Sequence, residues 1–262
     1  MNKMTESGVL VENVEINYQR AGITTPAVRN VSFDVRAQEF VAVVGPSGCG
    51  KTTLLHAIGG LVPISSGSIQ CTRRANDDKG PDRIMVFQEP SLFKWRTVEE
   101  NVAFALECNR LAESERASVV EHLLRKVQLW HRKNAYPFQL SGGMKQRVAI
   151  ARALASGAEV LLMDEPFGAL DAQTRLSMQT FLLEIWQESK KTVIFVTHDI
   201  DEAIYLADRV LVLSAGPGTV CASIPVNLPR PRLPDVLLST EFIASKRRIL
   251  EEIRHAEASS AH

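Results

Sequence analysis

No apolar run in this sequence approaches the roughly 20 residues that a membrane-spanning helix needs. The start, MNKMTESGVLVENVEINY, also lacks the long apolar core of a signal peptide. Service to a membrane would therefore go through partners. Cysteine is scarce too: Cys49, Cys71, Cys108 and Cys221 are the four present, with no CxxC pair among them. That spacing suits neither a zinc site nor a disulfide framework and favours a reducing cytosol. Net charge is missing as well. Lys plus Arg and Asp plus Glu both total 30, so no global basic field holds nucleic acid, although a local patch is compatible with that balance. There is no internal repeat and no low-complexity segment. With 262 residues, 45% of them hydrophobic, the chain can bury one full core but not two large domains.

What is present reads as an α/β pattern. Residues 8–18, GVLVENVEINY, alternate apolar and polar as a half-buried strand does, and AVRNVSFDVRAQE (27–39) repeats the alternation. FVAVV (40–44) is a continuous apolar run of the kind a buried parallel strand has. RIMVF (83–87), VLLMD (160–164), TVIFVT (192–197) and RVLVLS (209–214) are further buried-strand candidates. Helical patterns separate most of them, which predicts an α/β sheet with crossover helices. Between 89 and 159 the pattern turns helical with no clear strand, so a helical insertion is expected there. After Pro225, PVNLPRPRLP reads as an extended linker, followed by a short amphipathic helix near 240–255. The predicted organisation is a nucleotide-binding domain over 1–225, with its helical part at 89–159, and a short extension over 226–262.

The sharpest local signal is GPSGCGKTT at 45–53, which fits G-x-x-x-x-G-K-[ST] between a buried strand and a helix. Gly45, Pro46, Ser47, Gly48, Cys49 and Gly50 would let the backbone N–H groups wrap phosphates at a helix N-terminus. Lys51 would bridge the outer phosphates, Thr52 would ligate Mg²⁺, and Thr53 would meet an inner phosphate. Cys49 reads as a small filler. VLLMDEP ends a strand on two carboxylates, where ligands of open α/β sheets gather. Neighbouring strand residues face opposite ways, so Asp164 is assigned to the Mg²⁺ shell and Glu165 to activating water. Gln88 and His198 close two further strand candidates, the first within reach of Mg²⁺ or the attacking water, the second of a γ-phosphate. Three strands finishing in Gln, Asp-Glu and His point to one site.

A second phosphate-grasping helix start lies at LSGGMKQR, 140–147. Ser141 is a good N-cap, and Gly142 and Gly143 leave N–H groups open to an anion. Alone the motif is more often a plain helix start. Placed far from the first loop, it suggests head-to-tail pairing, each copy covering nucleotide held by the other.

Taken together, GPSGCGKT, Gln88, LSGGMKQR, VLLMDEP, ALD (169–171) and VTHD (196–199) resemble the ATP-binding subunit of ABC transporters, over roughly Val9 to Gly218. The resemblance implies a P-loop NTPase (RecA-like) core with an N-terminal antiparallel β subdomain and an inserted α-helical subdomain. It further implies ATP and Mg²⁺ as cofactors, and two ATP molecules sandwiched between paired subunits. Tyr18 matches the aromatic that stacks on adenine, and Asp171 the loop that couples the two sites. Met144 stands where the family most often has Gln, which leaves that side chain's role open.

VFQEPSLFKWRTVEENV is similar to the Gln loop of nitrate, sulfonate and taurine importers, and EPFGALDAQTRLSMQ, THDIDEA and LSAGPG fit the same group. This implies an ATPase at the cytoplasmic face of the cell membrane, with two transmembrane permease subunits and a periplasmic or lipid-anchored substrate-binding protein, and no nucleic-acid partner. Phe93 and Trp95 are candidates for the permease socket, against packing inside the helical subdomain. The rivals are a non-transport ABC ATPase, an ATP-binding scaffold without turnover, an exporter's ATPase, and an importer of another solute such as a pyrimidine. The solute itself is not written in these residues.

Overall fold

A computed structural model of the chain describes residues 7–20, 23–71 and 81–259. Residues 1–6 of the start segment and 260–262 of the tail lie outside these ranges. Strands β1 (Ser7–Arg20), β2 (Ile23–Arg36) and β4 (Ser66–Cys71) form an antiparallel sheet in the order β2-β1-β4. A six-stranded sheet is built from β3 (Phe40–Val44), β5 (Arg83–Val86), β6 (Val160–Asp164), β7 (Thr192–Val196), β8 (Arg209–Leu213) and β9 (Val220–Pro225). Its order is β5-β6-β7-β3-β8-β9, parallel except where β9 runs back along β8. This is the expected P-loop core with an antiparallel β subdomain.

The apolar strands read as continuous runs because both faces of the sheet are covered. Phe40, Ala42 and Val44 of β3 join one core cluster, and Val41 and Val43 join the other. The same alternation sorts Leu161 and Met163 from Val160 and Leu162 in β6, and Val193 and Phe195 from Ile194 and Val196 in β7. Helix α1 (Lys51–Ile58) packs on the second face with the antiparallel sheet. The first face carries α2 (Val98–Cys108), α3 (Glu113–Lys126), α4 (Gly142–Ala155), α5 (Ala172–Ser189), α6 (Ile200–Leu206) and α7 (Thr240–Ser259). Phe40 anchors that face, its ring edge-on to Trp186 at 5.6 Å and beside Phe195 at 5.8 Å.

Local chemistry sets the ends of the inserted helices. Thr97 starts α2 with a reciprocal cap: its hydroxyl accepts from Glu100 N, while Glu100 accepts from Thr97 N. Asn101 is fully buried on that helix, and its amide serves the carbonyls of Phe93, Arg96 and Thr97 while accepting from Phe93 N. The Gln-loop segment is thereby tied to α2.

Two strands escaped the pattern reading, β4 and β9, and the tail helix runs to Ser259 rather than ending near 255. The first strand also runs on past Tyr18 to Arg20, and the second starts at Ile23 rather than Ala27 and ends at Arg36. The two sheets meet where Val28 bridges Gly218: Arg29 N donates to Gly218 O at 3.0 Å and Gly218 N to Ala27 O at 3.1 Å. A Cβ at residue 218 would stand 2.1 Å from the Cys49 carbonyl oxygen, so only glycine allows that approach behind the phosphate loop.

Candidate functional site

Sheet order is what assembles the site. Strands β5, β6, β7 and β3 lie side by side, and register pairs Val86 with Met163, Asp164 with Val196, and Val196 with Val43. The carboxyl ends of four consecutive strands therefore release residues 45–50, Gln88, Glu165 and His198 at one edge. Adjacent strands are about 4.8 Å apart, so the four ends span on the order of 15 Å.

The loop at 45–50 leads into α1 through Gly50, the N-cap, held at φ 97°. A side chain there would sit 2.6 Å from the Ala27 carbonyl oxygen, so this turn too belongs to glycine. Lys51 is buried, and its ammonium donates to the carbonyl oxygens of Gly45 and Pro46, both at 2.9 Å. Ser47 and Gly48 are exposed at the loop's crest. Cys49 is fully buried beneath it, where burial pushes its thiol pKa up, as suits a filler. The exposed Tyr18 ring flanks the first turn of α1, its hydroxyl 3.1 Å from that of Thr53.

Parity in β6 turns Asp164 the same way as Val160 and Leu162, toward α1. There Thr52 Oγ1 donates to Asp164 Oδ1 at 2.9 Å. Burial pushes the Asp164 carboxyl above its usual range, opposed by the Thr52 hydroxyl and by His56. His56 Nε2 lies 3.5 Å from Asp164 Oδ2 and was not anticipated from sequence. Its position four residues after Thr52, on the same helix face, was the available signal.

Glu165 leaves the strand at φ 43°, with its N–H donating to Val196 O at 2.9 Å. Its Oε2 then meets His198 Nδ1 at 2.8 Å, across 33 residues of sequence. A Cβ at residue 168 would come within 3.3 Å of Gln88 Nε2 and 3.6 Å of Glu165 Oε2, so Gly168 leaves room for both side chains. Gln88 and His198 are exposed and Glu165 is half-buried.

Ser141 caps α4, its hydroxyl accepting from Met144 N at 3.3 Å. Cβ atoms on the next two residues would crowd Leu170 Cδ2 at 3.2 Å and Thr174 Cγ2 at 3.0 Å, so Gly142 and Gly143 let α4 abut the start of α5. Met144 packs its side chain against the core. Beside them an open groove of about 420 Å³ is lined by Ser141, Gly143, Met144, Gln173, Thr174 and Ser177. Asp171 caps α5, accepting from Thr174 N at 3.0 Å, and hydrogen bonding from the Thr174 side chain and then its backbone holds the Asp171 carboxyl below the usual range. Phe93 and Trp95 part company. Phe93 is half-buried at 4.7 Å from Phe104, with Arg96 and Arg152 on its ring, whereas Trp95 is 74% exposed.

Residues 28–168 match the family model described as ABC transporter. The chain belongs to the ABC transporter family. It is 47% identical over 205 residues to the taurine import ATP-binding protein TauB of Escherichia coli K12, covering 78% of this chain and 80% of TauB. With an uncharacterized ABC transporter ATP-binding protein of Methanocaldococcus jannaschii, MJ0412, it shares 46% identity over 244 residues, 93% and 90% of the two chains. Among solved structures, the dimeric post-hydrolysis state of the cassette MJ0796 bound to ADP and Pi superposes with a TM-score of 0.72 at 32% identity. That match covers 84% of this chain and all of the other. The cbiO1 subunit of Clostridium perfringens gives 0.75 at 28% identity, over 95% and 98% of the two chains. This chain is thus an ABC ATPase. No helix among its described residues is long and apolar enough to cross a membrane.

Proposed function

We propose that this chain is the ATP-hydrolysing subunit of an importer for a small sulfonated solute, taurine foremost, working as a closed pair on two permease subunits. The observation that carries the catalytic part is the Glu165–His198 contact at the strand ends beside Lys51. The solute assignment rests on the likeness to TauB, a taurine import protein, over most of both chains. The ATP-binding unit spans 1–225, with its helical part at 89–159, and 226–262 is an extension. The pair sits at the cytoplasmic face of the membrane, fed by an external substrate-binding protein.

ATP would lie with its adenine on Tyr18 and its phosphates in the loop of Gly45, Pro46, Ser47, Gly48, Cys49 and Gly50. Lys51 exchanges its two carbonyl partners for phosphate oxygens, and Thr53 reaches an inner phosphate. The Thr52 hydroxyl and Asp164 carboxylate are hard oxygen donors 2.9 Å apart. Among the described residues no group of three or more His, Cys, Asp or Glu forms a metal cage. That sparse donor set fits Mg²⁺, which keeps waters and phosphate oxygens as its other ligands. Bound there, with the Gln88 amide nearby, Mg²⁺ would neutralise charge on the phosphates.

The second copy contributes Ser141, Gly142 and Gly143 to the open side of the triphosphate, and Asp171 lies where the two sites communicate. Glu165 takes a proton from water as its oxygen bonds to the γ-phosphorus and the bond to the ADP oxygen breaks. General-base help of this kind is worth about 10² to 10⁴ in rate. His198, held against Glu165 through Nδ1, addresses the γ-phosphate with its other ring nitrogen.

Trp95 is the permease-facing anchor in this reading, since a large exposed aromatic marks an interface, and Phe93 supports it from below at 5.4 Å. Purified with its membrane subunits in vesicles, the complex is expected to accumulate taurine in an ATP-dependent way. Trp95→Ala should leave ATP affinity intact and cut uptake about tenfold, as loss of an interface anchor does. Uptake indifferent to sulfonates overturns the solute assignment. Unchanged uptake by the variant removes Trp95 from the interface, and bound nucleic acid in place of a permease overturns the transport reading.

A further inference from the structure

Helix α6 is seven residues long and starts two positions after His198. Its first turn is sewn to the histidine loop. Asp199 caps it by accepting from Asp201 N and Glu202 N, at 2.9 and 3.2 Å. Glu202, almost fully buried, accepts the Thr197 hydroxyl on one oxygen and Gln179 Nε2, at 3.1 Å, on the other. The Thr197 hydroxyl in turn accepts from Asp199 N at 3.0 Å. Residues on both sides of His198 are therefore fixed to α6, and where α6 goes, the imidazole follows.

The other end of α6 is held by the C-terminal extension. A helix leaves its last carbonyls without intrahelical partners, and here two tail arginines take them. Arg232 Nη1 donates to Ile204 O, Tyr205 O and Ala207 O at 2.9, 3.0 and 2.8 Å. Arg230 Nη2 donates to Leu206 O at 2.7 Å, and also binds Asp208 Oδ1. Tyr205 closes the loop by donating from its hydroxyl to Arg232 O at 3.1 Å. The Arg230 guanidinium stacks 4.3 Å over the Trp186 ring, which fastens it to α5. From α7, Lys246 reaches Asp201 in the first turn at 2.7 Å.

Arg232 is 3% exposed, and its hydrogen bonds all go to main-chain oxygens. Burial lowers its pKa to about 10, so the guanidinium remains charged at neutral pH. The positive charge meets the negative end of the helix dipole. A glycine would end a seven-residue helix without burying a charge. What the arginines add is location: they pin α6 against α5 and the sheet.

We propose that Arg230 and Arg232 are positioning residues for ATP hydrolysis, clamping the free end of α6 so that His198 stays against Glu165. This rests on the reading that His198 and Glu165 act on ATP. The test is a double-substitution cycle on the full chain, read as steady-state ATP hydrolysis at a temperature where every variant is folded. Arg232→Met should lower kcat about tenfold and leave KM within about twofold, because misplacement affects the reacting geometry rather than nucleotide binding. Arg232→Lys, keeping a cation on fewer carbonyls, should recover part of that loss. In a His198→Ala background, Arg232→Met should add less than about twofold, since a residue acting through His198 has nothing left to position.

Additive losses, an unmoved kcat, or a change confined to KM overturns the clamp alone. A kcat unmoved by His198→Ala removes the catalytic reading beneath it, and the clamp with it. Should Arg232→Met not fold, the same cycle with Arg230→Gln decides, with a smaller non-additive loss of about threefold expected; an additive or absent loss there also overturns the clamp.

Discussion

Glu165→Gln is expected to hydrolyse ATP at least about 100-fold more slowly than the parent chain and to accumulate as an ATP-loaded dimer. The amide keeps the size of the carboxylate and can still pair with His198 Nδ1, 2.8 Å away in the parent. It cannot take a proton from water. Binding and closure use the loop at 45–53 and the start of α4, neither of which the substitution touches. Phosphate release and light scattering in saturating ATP measure the two halves of this expectation. A variant that stays monomeric with ATP bound contradicts the paired-site reading, and one that turns over normally removes Glu165 as the base.

Ser141→Glu should do the reverse. Each copy keeps its ATP affinity within about twofold, but the pair does not close and hydrolysis falls by at least about 100-fold. Ser141 is exposed at the N-cap of α4, so the new carboxylate is tolerated by the fold. In a closed pair it would face the γ-phosphate of the other copy. Two like charges about 4 Å apart at an effective dielectric of 20 repel by about 4 kcal/mol, close to three decades in the closure constant. Nucleotide titration on the isolated chain and sizing of the Glu165→Gln/Ser141→Glu double variant check the two parts. A dimer persisting in the double variant would place Ser141 away from the triphosphate.

These expectations draw on residues that short-range pattern made visible. The buried strands were legible because both faces of the sheet are covered, which turns Phe40 to Val44 and Val160 to Asp164 into unbroken apolar runs. Gln88, Asp164, Glu165 and His198 were legible as strand-end polar residues beside a glycine-rich loop. By contrast, β4 (SGSIQC) and β9 (VCASIP) are short edge strands with small and half-exposed residues, and such strands carry little periodicity. His56 was missed although its spacing from Thr52 was suggestive. The segment PVNLPRPRLP looked like a mere linker because Arg230 and Arg232 bind carbonyl oxygens 24 to 28 residues upstream. A carbonyl belongs to every residue type, so no pattern in the side chains announces such a partner. The Thr52–Asp164 contact spans 112 residues and came into view only through motif knowledge.

Glu165 sits at φ 43°, a left-handed geometry that costs a residue with a Cβ about 1–2 kcal/mol. With Glu165 as the proposed base, glycine at this position would relieve the discomfort and give a sturdier but idle molecule. Heat-resistance screens run without a turnover readout would drift toward that outcome. Directed evolution of this ATPase therefore has to select on phosphate release from the first round, because ruggedness and work pull residue 165 in opposite directions.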